Sequence, residues 1–273
     1  MTLNLRPYSG AEHQPFEMGD GKSGFLLLHG FTGTPAEVRG LGETLAQLGW
    51  HSHAPLLPGF GSDIINLDQR RRADWLDAAR DVWEKLHHRY QPSVLFGYSM
   101  GGAIAIHLAC ELSPDILVLA APFWRMPGWM PRLIPAARIF TPHMRPFKKA
   151  DFSDVRLRRE FERIMPGIDL DDTEVQESIR AEFTLPLTAL HEAMKLGSSA
   201  YKLAKRVQCP VLVLQGEQDT IVRSDQTRKL FRRIGSPRKS YQSIPTGHDL
   251  LMAGTPQLEQ TVNTVLGFIE SIR

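Results

Sequence analysis

The segment that most constrains the fold is Gly97-Tyr98-Ser99-Met100-Gly101, taken together with its flanks. It follows the short apolar run Pro92–Phe96 and opens a stretch from Met100 to about Leu112 that is apolar almost all round. A buried strand, a tight turn and a buried helix in this order predict a serine held on a strained turn with its hydroxyl exposed. Gly97 and Gly101 are expected there because side chains at the flanking positions would clash with neighbouring backbone.

Other apolar runs of strand length occur along the chain, and each is ended by turn residues. They are Gly24–His29, Asp115–Ala120 and Pro210–Gln215, with a shorter candidate strand at Ser240–Ile244. Continuous apolar runs of this length are typical of strands that are buried on both faces. Helical patterns lie between the runs, so right-handed crossovers are expected. The sequence predicts an α/β fold, with a mostly parallel central sheet and helices on both faces.

The helices of this fold are predicted from apolar spacing and from end signals. Thr34-Pro35-Ala36-Glu37 has the form of a capping box with proline at the first helical position, and Gly49 ends the helix that follows. Further helices are expected at Ala73–Tyr90, at Leu187–Val207 and from about Pro256 to Ile272.

Residues 122–185 break the alternation of strands and helices. This segment is rich in Pro, Met, Trp, Arg and Phe, and it has a charged helical pattern near Asp151–Met165. We expect residues 1–121 and 186–273 to form the α/β core and 122–185 to be an inserted cap over the C-terminal edge of the sheet, where ligands bind in such folds. An ordinary run of surface helices is the alternative. The cap residues predicted to bind substrate are Trp124, Met126, Trp129 and Met130, because so many large apolar side chains close together favour a surface that faces a substrate or a partner.

The predicted nucleophile, Ser99, needs a base, because a serine hydroxyl is a weak nucleophile. In strand–turn–helix sites of this kind, the partners follow in the order Ser, acid, His. Two histidines lie beyond the cap. His191 falls inside a predicted helix, whereas His248 lies in a loop after a predicted strand. His248 is therefore the predicted general base.

The acid that orients the histidine is predicted to be Asp219. It lies just after the run Pro210–Gln215, one strand before the histidine loop. Its role would be to accept the proton-bearing Nδ1 and to stabilise the imidazolium. Glu217 is the nearest alternative, but it stands where the turn itself forms.

An oxyanion hole is expected from two backbone N–H groups, those of Phe31 and Met100. Phe31 lies in the glycine-rich loop Gly30–Gly33 that follows the first strand, where the second donor of such sites usually lies. The preceding residue, His29, is expected to be a buried histidine that is hydrogen-bonded to loop backbone.

Composition excludes several classes of protein. With 32 basic and 30 acidic residues the net charge is +2, which gives no case for a nucleic-acid partner. The two cysteines, Cys110 and Cys209, lack the spacing of a zinc site, and His51-x-His53 has no obvious third ligand, so no metal is expected. Two reduced thiols are expected, although a single disulfide stays open. The chain has no signal-peptide pattern near Met1 and no apolar stretch of about 18 residues, so the prediction is a cytoplasmic protein without a membrane span.

Five blocks of the sequence resemble the α/β-hydrolase superfamily, and within it the small carboxylesterase and monoacylglycerol lipase group. They are residues 26–50, 53–63, 97–102, 210–222 and 245–249. The resemblance implies hydrolysis of carboxylic esters through an acyl-enzyme, a cap that selects the acyl chain, and no cofactor. By the same resemblance Ser99, Asp219 and His248 correspond to the catalytic triad, and Phe31 and Met100 to the oxyanion positions.

The predicted function is therefore that of a serine ester hydrolase, whose partner is a small ester with an apolar acyl chain. The alternatives keep the same three residues but act on another acyl substrate, as a thioesterase, a C–C bond hydrolase or an acyltransferase. A non-catalytic binding protein and a membrane-surface protein that uses the cap are further alternatives. The sequence leaves a homodimer open.

Overall fold

The computed structural model describes residues 7–165 and 167–272, without the side chains at positions 130, 156, 159, 160 and 163. The described residues form nine strands in chain order. They are β1 (Phe16–Met18), β2 (Gly24–Leu28), β3 (His51–Ala54), β4 (Ser93–Tyr98), β5 (Ile116–Ala120), β6 (His143–Met144), β7 (Leu185–Pro186), β8 (Val211–Gly216) and β9 (Lys239–Ile244).

Seven of these strands form one sheet in the order β1-β3-β2-β4-β5-β8-β9. The pairs from β3 through β9 are parallel, and β1 alone among the sheet's described strands pairs antiparallel, with β3. Every residue of β2, β4, β5 and β8 is buried. The mostly parallel α/β fold predicted from the apolar runs is confirmed. Strand β4, which leads to Ser99, lies at the centre with three strands on each side.

Nine α-helices are described. They are α1 (Ala36–Gln47), α2 (Arg72–Arg89), α3 (Met100–Glu111), α4 (Ile134–Phe140), α5 (Val155–Ile164), α6 (Thr173–Glu182), α7 (Leu187–Leu203), α8 (Ser224–Arg233) and α9 (Pro256–Ser271). Alternate strand residues face opposite layers, as the pleat requires. Leu26 and Leu28 pack in one layer with apolar residues of α2, α3 and α7. Phe25 and Leu27 pack in the other with α1 and α9.

Helix α1 begins one residue later than its capping signal predicts. Pro35 occupies the N-cap position, and the helix starts at Ala36. The Thr34 hydroxyl accepts a hydrogen bond from the Ala36 N–H at 3.3 Å. The carboxylate of Glu37 accepts a hydrogen bond from Gly30, in the loop before the helix. A residue expected to cap the helix thus contacts the predicted oxyanion loop.

The segment between β5 and α7, residues 122–185, is here called the insert. None of its described residues belongs to the central sheet. Strand β6 instead pairs antiparallel with β7 in a separate two-stranded sheet. Helices α5 and α6 contribute to a small apolar cluster around Phe161 and Ile179, which also includes Tyr8 from the segment before β1. Helix α4, in contrast, has no buried residue. Among the described residues, no helix has both the length and the apolar character needed to cross a bilayer.

Candidate active site

Ser99 lies at the junction between the central strand and the buried helix. Strand β4 ends at Tyr98, α3 begins at Met100, and Ser99 between them has φ 53° and ψ −115°. A positive φ is unusual for a residue with a side chain, and such strained turns occur at functional sites. Backbone hydrogen bonds fix the turn, because Ser99 N–H donates to Ala120 at 2.9 Å and Phe123 N–H donates to Ser99 at 3.0 Å.

The two glycines of the pentapeptide are required by close backbone contacts. A Cβ at Gly97 would lie 2.4 Å from the carbonyl oxygen of Gly101. A Cβ at Gly101 would lie 2.3 Å from the carbonyl oxygen of Leu28 on the neighbouring strand. Both separations are far below a van der Waals contact, so Gly97 lets the end of β4 lie against the start of α3, and Gly101 lets the turn pack against β2.

Asp219 and His248 come together in a partly buried hydrogen bond. His248 Nδ1 donates to Asp219 Oδ2 at 2.7 Å, and the aspartate side chain is fully buried. The other carboxylate oxygen accepts from the backbone N–H groups of Ile221 and Val222, at 2.9 and 2.8 Å. An acceptor at Oδ2 places the imidazole proton on Nδ1, so Nε2 is left able to accept a proton.

The histidine loop is joined to the turn that carries the serine. The Tyr98 hydroxyl donates to the backbone carbonyl of His248 at 2.8 Å, and the two rings lie 5.0 Å apart. A further close contact lies at the end of β8, where a Cβ at Gly216 would stand 1.9 Å from the carbonyl oxygen of Gly247. The histidine loop is therefore held against the ends of β4 and β8, the strands that lead to Ser99 and to Asp219.

The loop after β2 runs beside the serine. A Cβ at Gly30 would lie 3.2 Å from Cβ and 3.6 Å from Oγ of Ser99. Gly30 N–H donates to Glu37 Oε2 at 2.8 Å, which ties the loop to α1. Across the described residues, neither Phe31 N–H nor Met100 N–H donates to a backbone carbonyl. Met100 directly follows Ser99 in the chain and Phe31 directly follows Gly30, so each amide adjoins a residue of this contact.

His29 has the position expected for a buried structural histidine. Its Nδ1 donates to the carbonyl of Gly30 at 2.9 Å, and its Nε2 accepts from Leu57 N–H at 3.1 Å. Burial lowers the pKa of His29 from 6.5 to about 4, against the smaller opposing effect of the Gly30 hydrogen bond. The neutral ring therefore joins the start of the loop to the segment after β3.

Residues 20–253 match the family model described as serine aminopeptidase, S33. The chain belongs to this family of α/β-hydrolases. A thermostable monoacylglycerol lipase of Bacillus sp. (strain H-257) is 30% identical over 231 residues, which are 85% of this chain and 83% of that protein. A carboxylesterase of Bacillus subtilis (strain 168) is 23% identical over 83% of this chain and 84% of its own. One solved structure, described with the metagenome-derived lipolytic enzymes LipS and LipT, shares the fold with a TM-score of 0.77 at 21% identity over 96% and 98% of the two chains.

In this S33 hydrolase, the apolar side chains predicted to bind substrate differ in their surroundings. Trp124 stacks on Tyr201 of α7 at 4.1 Å, and its indole N–H donates to Gln226 of α8 at 2.9 Å. Met126 is half-buried, and Trp129 is 65% exposed. The side chain of Met130 lies outside the described residues. Trp124 therefore has a packing position between two core helices.

Three residues of this S33 hydrolase support the site without having been predicted for it. Gln215 Nε2 donates to Asp219 Oδ2 at 3.3 Å and to the Val222 carbonyl at 2.8 Å. Tyr98 contacts the histidine loop, and Glu37 holds the glycine-rich loop. A polar residue at the end of an apolar run was a usable signal for Gln215, since a buried amide needs hydrogen-bond partners. Tyr98 stands inside the pentapeptide, but the motif does not specify its residue type.

Two residue pairs that could have suggested metal or redox chemistry have other surroundings. His51 stacks on Tyr90 at 4.4 Å, and His53 Nδ1 lies 3.1 Å from Glu17 Oε1. Cys110 and Cys209 are free thiols. Burial raises the pKa of Cys209 to about 12, so this thiol is not activated as a nucleophile.

Proposed function

We propose that this chain hydrolyses carboxylic esters through an acyl-enzyme on Ser99, with His248 as general base and acid and Asp219 as the residue that orients the imidazole. The observation that carries the proposal is the 2.7 Å hydrogen bond from His248 Nδ1 to the buried Asp219. The loop that contains His248 is in turn hydrogen-bonded to Tyr98, which directly precedes the strained Ser99. Base, orienting acid and nucleophile are the three parts that serine acyl transfer requires.

The first half of the reaction forms the acyl-enzyme. Ser99 Oγ attacks the carbonyl carbon of the ester while His248 Nε2 takes the hydroxyl proton. The tetrahedral intermediate then collapses, the bond to the alcohol oxygen breaks, and His248 gives its proton to the departing alcohol. In the second half a water attacks the acyl carbon, its proton passes to His248, and Ser99 leaves with that proton as the acid is released.

Asp219 stabilises the imidazolium that forms in both halves. Its oxygens accept hydrogen bonds from two backbone amides, from Gln215 and from His248. A carboxylate with this many donors is fixed in orientation and remains an acceptor, so it does not take the proton from His248.

Phe31 and Met100 are proposed to donate their backbone N–H groups to the oxyanion. Met100 directly follows Ser99 and Phe31 follows Gly30, whose Cα would carry a Cβ 3.2 Å from that of Ser99, and neither amide donates to a backbone carbonyl of the described residues. Glu37 and His29 support the first donor, because they hold Gly30 through its N–H and its carbonyl. Donors that are fixed before the reaction lower the barrier without a cost of reorganisation.

The insert is proposed to be the cap that selects the acyl chain, with residues 1–121 and 186–273 as the catalytic core. Its half-buried Met126 and exposed Trp129 are the proposed substrate contacts. Relatives named as a monoacylglycerol lipase and a carboxylesterase match more than four-fifths of both chains. An ester with an apolar acyl chain, such as a monoacylglycerol, is therefore the proposed substrate class.

Peptide hydrolysis is the second candidate, because the family description names an aminopeptidase. The same three residues can cleave an amide, so the site alone does not separate the two reactions. The relatives that match along most of this chain are named for ester cleavage, which favours the ester.

The test is hydrolysis of p-nitrophenyl esters and monoacylglycerols of increasing acyl length, beside aminoacyl p-nitroanilides. Wild type is compared with Ser99→Ala and with Ser271→Ala, which removes an exposed hydroxyl in the last turn of α9. We expect ester turnover to fall about 10⁴-fold or more in Ser99→Ala and to be unchanged in Ser271→Ala. Absence of ester turnover together with absence of fluorophosphonate labelling at Ser99 would overturn the proposal.

A further inference from the structure

The described residues before β1 lie beside the candidate site and are hydrogen-bonded to α1. The guanidinium of Arg39, on α1, donates to three backbone carbonyls of this segment. These belong to Ala11, Glu12 and Gln14, at 3.3, 3.0 and 2.9 Å. A single side chain with five donors can hold a whole turn in this way. The segment is therefore anchored to the same helix that holds the oxyanion loop through Glu37.

Tyr8, just ahead of this turn, connects the insert to the oxyanion loop. Its backbone N–H donates to the carbonyl of Ile164 at the end of α5, at 2.7 Å. Its hydroxyl donates to the carbonyl of Thr32 at 2.9 Å. Tyr8 itself is only 2% exposed, and its hydrogen bond to the half-buried Thr32 is partly shielded from water.

The ring of Tyr8 is part of the insert's apolar cluster. It is buried with Phe161 and Ile164 among others. It also meets His13 edge-on, at 5.1 Å, and His13 Nδ1 lies 2.8 Å from the Thr34 hydroxyl. The short segment that contains Tyr8 and His13 thus contacts the insert and both ends of the Thr32–Thr34 turn.

Thr32 is a residue whose conformation needs outside support. It has φ 60°, in the left-handed region that β-branched residues rarely adopt. It follows Phe31, so the orientation of the Phe31 amide depends on the conformation of this turn. The Tyr8 hydroxyl fixes the Thr32 carbonyl and thereby stabilises the strained turn.

We propose that Tyr8 is a positioning residue that couples the insert to the oxyanion loop. This inference rests on the proposed function, because it assumes that Phe31 N–H stabilises the oxyanion. A displacement of α5 at Ile164 is passed to Thr32 through the backbone and the phenol of this one residue. Since the oxyanion exists only after attack, loss of the coupling lowers kcat and leaves KM nearly unchanged.

The first test measures the coupling without any substrate. Amide hydrogen exchange is followed by mass spectrometry in wild type, in Tyr8→Phe and in Tyr90→Phe. The control residue, Tyr90, is also a buried tyrosine, but it stacks on His51 at the other end of the strands. We expect Tyr8→Phe alone to raise exchange in the peptide that spans residues 30–34. Unchanged exchange in that peptide would overturn the coupling, whatever the enzyme hydrolyses.

The second test measures the consequence for catalysis. On a p-nitrophenyl ester we expect kcat to fall about tenfold in Tyr8→Phe, which is less than the loss of a whole oxyanion donor, with KM within twofold. Asparagine tolerates the left-handed conformation, so Tyr8→Phe should cost less in a Thr32→Asn background. Equal losses in both backgrounds, or a change confined to KM, would overturn the role of Tyr8. Absence of wild-type turnover would instead overturn the proposed function, and the exchange experiment would still decide the coupling.

Discussion

The hydroxyl of Tyr98 donates a hydrogen bond to the backbone carbonyl of His248 at 2.8 Å. The two residues are 150 positions apart in sequence. Tyr98 adjoins the proposed catalytic unit, and His248 is part of it. Tyr98 is the last residue of β4 and precedes Ser99, while His248 lies beyond β9. The contact therefore fixes the loop of the proposed base directly to the turn of the proposed nucleophile.

Removal of this hydroxyl should slow catalysis without removing it. In Tyr98→Phe we expect kcat to fall about tenfold, because the imidazole loses part of its alignment and alignment contributes much of the rate of such a unit. The measurement is steady-state ester hydrolysis, with Tyr241→Phe on β9 as the matched control. Equal kcat in wild type and Tyr98→Phe would show that Asp219 alone holds His248.

Replacement of Asp219 by asparagine should invert the polarity of the key hydrogen bond. Oδ1 accepts from two backbone N–H groups, so the asparagine oxygen is expected to stay there and the NH₂ to take the place of Oδ2. It would then donate to His248 Nδ1 and leave the proton on Nε2, where it blocks the base. We expect kcat to fall roughly 10⁴-fold at neutral pH. Asp225→Asn, at an exposed ion pair with Arg223, is the control, and a loss within tenfold for Asp219→Asn would refute the assignment.

Stability should decrease in mild acid because of His29. The pKa of His29 is about 4 in the folded chain because of burial, against 6.5 when unfolded. The unfolded state therefore binds the proton first, so the full stability is present above pH 6.5 and is lost as the pH falls toward 4. Between pH 7 and pH 5 we expect a loss of about 2 kcal/mol from this residue.

The measurement for His29 is urea unfolding at several pH values. His29→Gln cannot titrate, so its free energy of unfolding should depend less on pH by about that amount, although it is lower at neutral pH. Parallel pH profiles for the two proteins would show that another group causes the acid sensitivity.

Two glycine-to-alanine substitutions should have opposite effects. At Gly97 the new methyl would press on the carbonyl of Gly101 at 2.4 Å, so we expect the free energy of unfolding to fall by about 3 kcal/mol, the upper end of what overpacking costs. At Gly267, inside α9, no described atom beyond the chain neighbours and the helix's own backbone lies within 4 Å of the new methyl. There the higher helix propensity of alanine should raise stability by about 1 kcal/mol. Thermal unfolding measures both, and a stable Gly97→Ala protein would contradict the tight packing of the turn.

The sequence was sufficient where one short pattern carries one physical meaning. The apolar runs predicted the buried strands β2, β4, β5 and β8 to within one or two residues at each end. The pentapeptide predicted the strained turn, because the requirement for glycine at positions 97 and 101 is a local steric one. The order of loops after the strands predicted that Asp219 and His248 would meet, and they do.

The sequence was insufficient where a contact joins distant segments or a residue has two local uses. Tyr8 lies in a segment without periodic pattern, and no spacing rule relates it to Thr32 or Ile164. Glu37 has the spacing of a capping residue, yet its carboxylate also accepts from the loop before the helix. Helix α4 was not predicted, because it buries no residue and so shows no apolar face of helical spacing.

The central position of β4 in the sheet determines which part of the candidate active site unfolds first. Local opening begins where a structure has few buried contacts, and sheet edges are such places. The edge strand β9, which leads to His248, buries only Ile244 fully, whereas every residue of β4 is buried. Heat should therefore release the histidine loop while the serine turn is still intact. With His248 in its proposed role as the base, the enzyme would lose activity well before it unfolds, and cooling would restore that activity as soon as one peripheral strand pairs again.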